Sequence, residues 1–220
     1  VPGAKGEFRL GAELYDANVN GFRATGAMKT ARRGHLATRL SDGTVLVVAG
    51  WNGTAVLASA EKFTPAAETW ADSGGLINAR GDFAAAILSD GRIFISGGAD
   101  DAGTILSYNE LFDPTKNESE AKASMSTARR FHTAIAGAGD RVWIAGGEGP
   151  GSTIRSSTEI YLLPEDRWLF AGSMVAARMS HGAFKIDADD RVSVFGGRSP
   201  QVMKKGELYD PRNGIWTPTV

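Results

Sequence analysis

Short apolar runs return at even intervals along this chain, each flanked by turn residues. Val45-Leu46-Val47-Val48, Ile93-Phe94-Ile95, Val142-Trp143-Ile144 and Val192-Ser193-Val194-Phe195 are nearly free of polar positions and too short for helices. That is the pattern of strands covered on both faces. Ahead of the first run lies Leu36–Leu40, and Asp42-Gly43 stands between the two. Asp-Gly at that place predicts a two-residue hairpin of type I′, which demands positive φ at both central residues. Asp90-Gly91, Gly139-Asp140 and Asp189-Asp190 occupy the same place later on. Behind each run come small residues, Ala49-Gly50, Gly97-Gly98, Gly146-Gly147 and Gly196-Gly197. They allow close backbone approach and a sharp exit. No segment of helical period is long enough to compete, Ala66–Trp70 being too short.

The intervals are regular because one unit is repeated. Glu13-Leu14-Tyr15, Glu61-Lys62-Phe63, Glu110-Leu111-Phe112, Glu159-Ile160-Tyr161 and Glu207-Leu208-Tyr209 have glutamates 48, 49, 49 and 48 residues apart. Met28, Leu76, Met125 and Met174 keep the same step, and each is followed four residues later by an arginine, Arg32, Arg80, Arg129 or Arg178. Three residues beyond the arginine stands His35, Phe83, His132 or His181. A further strand after the Glu-x-aromatic phrase carries Phe22, Trp70, Trp168 or Trp216, while the third repeat has Asn117-Glu118-Ser119 in that region. A fixed period of this length means one supersecondary unit repeated in space. Four short antiparallel strands per unit, punctuated by glycine, describe a propeller blade.

Arg-x-x-His, Asp-Gly before an apolar strand, Gly-Gly, then Glu-x-Tyr-Asp-Pro and Trp resemble the kelch repeat over about residues 7–220. The variety is similar to that of bacterial extracytoplasmic proteins and of the galactose oxidase-like propeller. The resemblance implies an all-β, kelch-type β-propeller with Arg-x-x-His opening the innermost strand and Trp on the outermost. Residues 1–28 then supply a half-blade, and blades follow at about 32–74, 80–124, 129–172 and 178–220, in a single kelch domain or segment. About four and a half blades predict a segment of a six- or seven-bladed ring, or a ring closed by another copy. Either way an open blade edge is expected to favour self-association.

Composition narrows the function. A formal net charge of −1 and a pI near 6.4 leave no electrostatic footprint for nucleic acid. No apolar stretch reaches the length of a membrane span, so insertion is not expected. The chain has no cysteine, which removes disulfides, thiolate metal sites and cysteine nucleophiles together, as well as the Cys–Tyr crosslink that galactose oxidase-like radical chemistry needs. No catalytic constellation, cofactor site or metal site stands out. His35, His132 and His181 share one station with Phe83, which points to packing.

Arg32, Arg80, Arg129 and Arg178, with Glu61, Glu110, Glu159 and Glu207, recur at fixed stations. Recurrence in every unit suits structural pairs tying blade to blade better than a ligand site, which normally breaks symmetry. The copies disagree just after the arginine and after the glycine pair, two loop sets that share a face in kelch propellers. Function concentrates on variable loops over rigid scaffolds, so Trp51, Arg33, Arg130, Phe131 and Arg198 are the binding candidates. The expectation is a non-catalytic recognition module, extracytoplasmic, that binds a protein or glycan by this loop face. The alternatives are a carbohydrate-active kelch enzyme similar to a sialic-acid mutarotase, and a structural spacer.

Overall fold

The computed structural model describes residues 10–186 and 189–219. The first nine residues of the expected half-blade and the last residue of the expected final blade lie outside them. Strands β1 (Glu13–Asp16) and β2 (Gly21–Ala24) pair as a two-stranded sheet. A four-stranded sheet follows in sequential order, β3 (Leu36–Arg39), β4 (Val45–Val48), β5 (Ser59–Thr64) and β6 (Thr69–Gly75). The third sheet is β7 (Ala84–Ile87), β8 (Ile93–Ser96), β9 (Asn109–Asp113) and β10 (Glu118–Lys122). In the fourth, β11 (Thr133–Gly137) and β12 (Arg141–Ala145) lead through a short ribbon, β13 (Glu148–Gly149) and β14 (Thr153–Ile154), to β15 (Ser157–Leu162) and β16 (Arg167–Ser173). The fifth repeats this plan with β17 (Gly182–Lys185), β18 (Val192–Phe195), a ribbon of β19 (Arg198–Ser199) and β20 (Gln201–Val202), then β21 (Glu207–Asp210) and β22 (Ile215–Pro218). The chain is therefore all-β, built of four-stranded sheets with neighbouring strands antiparallel. Its contacts gather into two compact units: the chain up to Gly81 with Asp113–Ser119, and Asp82–Phe112 with everything from Glu120 onward.

The Asp-Gly turns form hairpins, but not of type I′. Gly43 N–H donates to Leu40 O at 3.0 Å and Leu40 N–H to Thr44 O at 2.8 Å. Gly43 has φ 86, while Asp42 is absent from the left-handed residues. This is a type I turn followed by one left-handed glycine, a three-residue loop. The Asp42 carboxylate accepts from Thr44 N–H at 2.9 Å and from Thr44 Oγ1 at 2.6 Å, which favours this form over the tighter one. Gly91 and Leu88 repeat the arrangement, with Gly91 N–H to Leu88 O at 3.0 Å and Leu88 N–H to Arg92 O at 2.8 Å. At Gly139 and Asp140 both φ values are positive, 66 and 53, within a three-residue loop between the paired Gly137 and Arg141.

Within the second unit the pleat sorts side chains to two faces. Val142 and Tyr161 pack back on Phe94 and Leu111 of the third sheet. Trp143, Ile135 and Ile160 face forward onto Val192, Val194, Tyr209 and Trp216 of the fifth. Where the fourth strand carries an aromatic, the Glu-x-aromatic residue meets it directly across the ladder: Tyr15 and Phe22 with centroids 5.2 Å apart, Phe63 and Trp70 at 5.2 Å, Tyr161 and Trp168 at 5.0 Å, Tyr209 and Trp216 at 5.1 Å. Burial on both faces, expected of every second strand, holds along β8, from Leu46 to Val48 in β4 and from Val142 to Ala145 in β12. In β18 it fails. Phe195 is 51% exposed there, and Phe184 beside it on β17 is 49% exposed, their ring centroids 5.8 Å apart.

Candidate functional site

The recurring arginines are buried and their side chains close the mouth of the sheet they precede. Arg32 Nη2 lies 2.8 Å from Glu61 Oε1, Arg129 Nη2 2.5 Å from Glu159 Oε1, and Arg178 Nη2 2.6 Å from Glu207 Oε1. Each Nη1 donates to two carbonyls at the ends of the second and third strands, Gly146 at 2.9 Å and Ser157 at 3.1 Å in the case of Arg129. The glutamates also accept from backbone N–H groups ahead of the arginine, Glu61 from Lys29 and Thr30 and Glu207 from Val175 and Ala176. This corrects the expectation of side-chain ties between blades, because Arg32, Arg129 and Arg178 each pair within one repeat. The arginine carbonyl makes the link to the preceding repeat instead. It accepts from Gly50 (Arg80 O, 3.2 Å), Gly98 (Arg129 O, 2.9 Å) and Gly147 (Arg178 O, 2.8 Å). Arg80 and Glu110 are buried at the same stations. Burial pulls the Arg129 guanidinium below its ordinary pKa, against the opposing effect of Glu159.

The histidine station is packed in the core. His132 Nε2 shares a hydrogen bond with Ser96 Oγ at 2.8 Å, and His181 Nε2 with Thr133 Oγ1 at 3.0 Å. Burial, then the nearby Arg129 and His181, push the His132 pKa well below its ordinary value. Burial and Arg178 lower that of His181 to about 4. Both rings are neutral near pH 7, acting as packed polar side chains.

The variable loops do come together in pairs. The residue after the arginine bridges the residue after the second glycine: Arg33 with Trp51, Arg130 with Glu148, Met179 with Arg198. In the first unit Arg33 and Trp51 exchange two backbone hydrogen bonds of 2.9 Å, and the guanidinium carbon sits 4.2 Å from the Trp51 ring centroid. In the second unit Arg130 lies 5.0 Å from the centroid of Phe131 and 3.2 Å from Glu148 Oε2. Arg198 is exposed and held to Met179 by backbone bonds of 3.0 and 3.2 Å.

The next position along is conformationally unusual in every repeat. Gly34, Asp82, Phe131 and Ser180 have φ of 60, 55, 55 and 53. For Phe131, a bulky residue, this is a strained backbone. A backbone chain crosses the second unit through these residues, Ser180 N–H donating to Phe131 O and Phe131 N–H to Asp82 O, each at 2.9 Å. Sequence reading singled out Trp51, Arg33, Arg130, Phe131 and Arg198 but not Glu148, the partner of Arg130. Its place immediately after Gly146-Gly147 was the available signal.

No model of a known protein family matches the chain, and no curated protein matches it in sequence. Solved structures do match. That of YjhT aligns with a TM-score of 0.78 at 13% identity, covering 96% of this chain and 75% of that one. So low an identity speaks of fold alone. With the four-stranded sheets it shows a kelch-like β-propeller fold.

Proposed function

We propose that this chain is a non-catalytic recognition module that meets a protein or glycan partner with its loop face, in an extracytoplasmic setting. The observation that carries this reading is the cluster in which Arg130 lies against the Phe131 ring and Glu148 against Arg130, at positions where the repeats differ in residue type. Trp51 under Arg33 is a second anchor of the same make. Trp and Arg are favoured at the centres of interfaces, and each stacked pair is already oriented before a partner arrives. Arg198 adds an exposed cation on the same class of loop.

A second reading is a carbohydrate-active kelch enzyme acting on an acidic sugar. It draws on the kelch resemblance and on Arg130 standing beside the buried carboxylate of Glu148. One screen separates the two. The chain is tested against immobilised neutral and acidic glycans and against envelope-protein fractions, beside Trp51→Ala and Phe131→Ala. Binding that falls about tenfold or more in either variant, at unchanged melting temperature, supports the recognition reading. Binding indifferent to both substitutions removes the loop-face assignment. Accelerated anomeric exchange of an acidic sugar, abolished by Glu148→Gln, favours the enzyme.

A further inference from the structure

Three lead-in segments, residues 76–80, 125–129 and 174–178, are held on the preceding repeat by one set of backbone bonds. The aliphatic residue donates first: Leu76 to Ala58 O, Met125 to Ser107 O and Met174 to Ser156 O, each at 2.8 Å. The arginine donates next, Arg80 to Leu57 O at 3.2 Å, Arg129 to Leu106 O and Arg178 to Arg155 O at 3.1 Å. The arginine carbonyl then accepts from Gly50, Gly98 or Gly147, as given above. The methionine tip reaches the first glycine of the pair. A Cβ on Gly97 would lie 3.0 Å from Met125 Cε, and one on Gly146 3.0 Å from Met174 Cε.

The fifth sheet builds the same socket. Met203 N–H donates to Gly197 O at 2.8 Å, just as Leu57, Leu106 and Arg155 donate to Gly50, Gly98 and Gly147. Met203, Lys204 and Gly197 therefore stand where Arg155, Ser156 and Gly147 hold the segment 174–178. A Cβ on Gly196, unlike one on Gly97 or Gly146, meets nothing within 4 Å. A cavity of about 370 Å³ opens against Met203, Lys204, Lys205, Gly206 and Pro218. Phe195 is 51% exposed, whereas Val48, Ser96 and Ala145 at its station are at most 4% exposed.

We propose that this socket binds the lead-in segment of one more repeat of the same pattern, a strand with Met or Leu followed four residues later by arginine. Its aliphatic N–H donates to Lys204 O and its arginine N–H to Met203 O, while Gly197 N–H donates to the arginine carbonyl. The aliphatic side chain lies over Gly196, and the sheet that follows covers Phe184 and Phe195. Three fillings of the same geometry by the same residue types select this occupant over an unrelated peptide or a lipid.

The chain has no cysteine, so Phe195→Cys supplies a single thiol at the socket floor. A copy of residues 124–173 is appended after Val220, which sets its Met125 15 residues beyond Glu207 as in the other repeats, and thiol labelling is compared with the unfused Phe195→Cys chain. The fused chain is expected to label at least about tenfold more slowly and to melt higher. Met125→Asp in the appended copy alone should restore fast labelling. Equal labelling and equal melting temperatures in fused and unfused chains overturn the proposal. Labelling of the unfused chain that slows as protein concentration rises means the socket takes a second copy, which also overturns it.

Discussion

Arg129 shows what a single residue does in this repeat. Its guanidinium is fully buried and answers Glu159, Gly146 O and Ser157 O together. Removing one member of a buried pair leaves the other charge unpaired, at a cost of about 3–5 kcal/mol. Arg129→Ala should therefore lower the urea midpoint sharply or prevent folding, and Glu159→Ala added to it should recover part of the loss. An unchanged midpoint would show that the pair contributes nothing net. The spacing of the glutamates and arginines exposed both partners in the sequence. It did not reveal which glutamate each arginine meets, because a period is the same whether partners lie in one repeat or in adjacent ones. Distance alone distinguishes them.

At the scale of the element, the Asp-Gly hairpins were plain in the sequence and their type was not. Only one position, Gly43 at φ 86, needs the left-handed region, and Asp42 uses its side chain to hold Thr44. Gly43→Ala should cost about 1–2 kcal/mol, read as a lower denaturant midpoint, whereas Asp42→Ala should cost less, because Asp42 is exposed. An Asp42 change that costs more than Gly43→Ala would contradict the turn described. The loop after the arginine carried a different lesson. Its variability was visible residue by residue, but the left-handed backbone at Asp82, Phe131 and Ser180 was not. None of the three is a residue type that demands that conformation, and bonds from neighbouring repeats impose it.

At the scale of the molecule, the buried histidines tie stability to pH. The folded His132 and His181 pKa values lie below the ordinary 6.5, that of His181 at about 4. Between those values the unfolded chain binds protons that the folded chain does not, so stability is full above about pH 6.5 and is lost as pH falls. The slope reaches up to about 1.4 kcal/mol per pH unit for each histidine. The melting temperature should drop between pH 7 and 5, and His132→Phe with His181→Phe, the residue type of Phe83 in the second repeat, should flatten that drop. A melting temperature level across the range in the parent chain would refute the linkage.

The sequence by itself determined the strands and the period, which follow from alternation, turn chemistry and repetition, local properties read along the chain; the order of strands within a sheet it carried only through its resemblance to the kelch repeat. Only the tertiary structure decided that the arginine side chains close their own repeat while their carbonyls reach the one before, that Arg130 finds Glu148, and that Phe184 and Phe195 face outward from the last sheet. These are contacts between residues distant in sequence. They depend on which surfaces the packed sheets cover, and no local pattern encodes that.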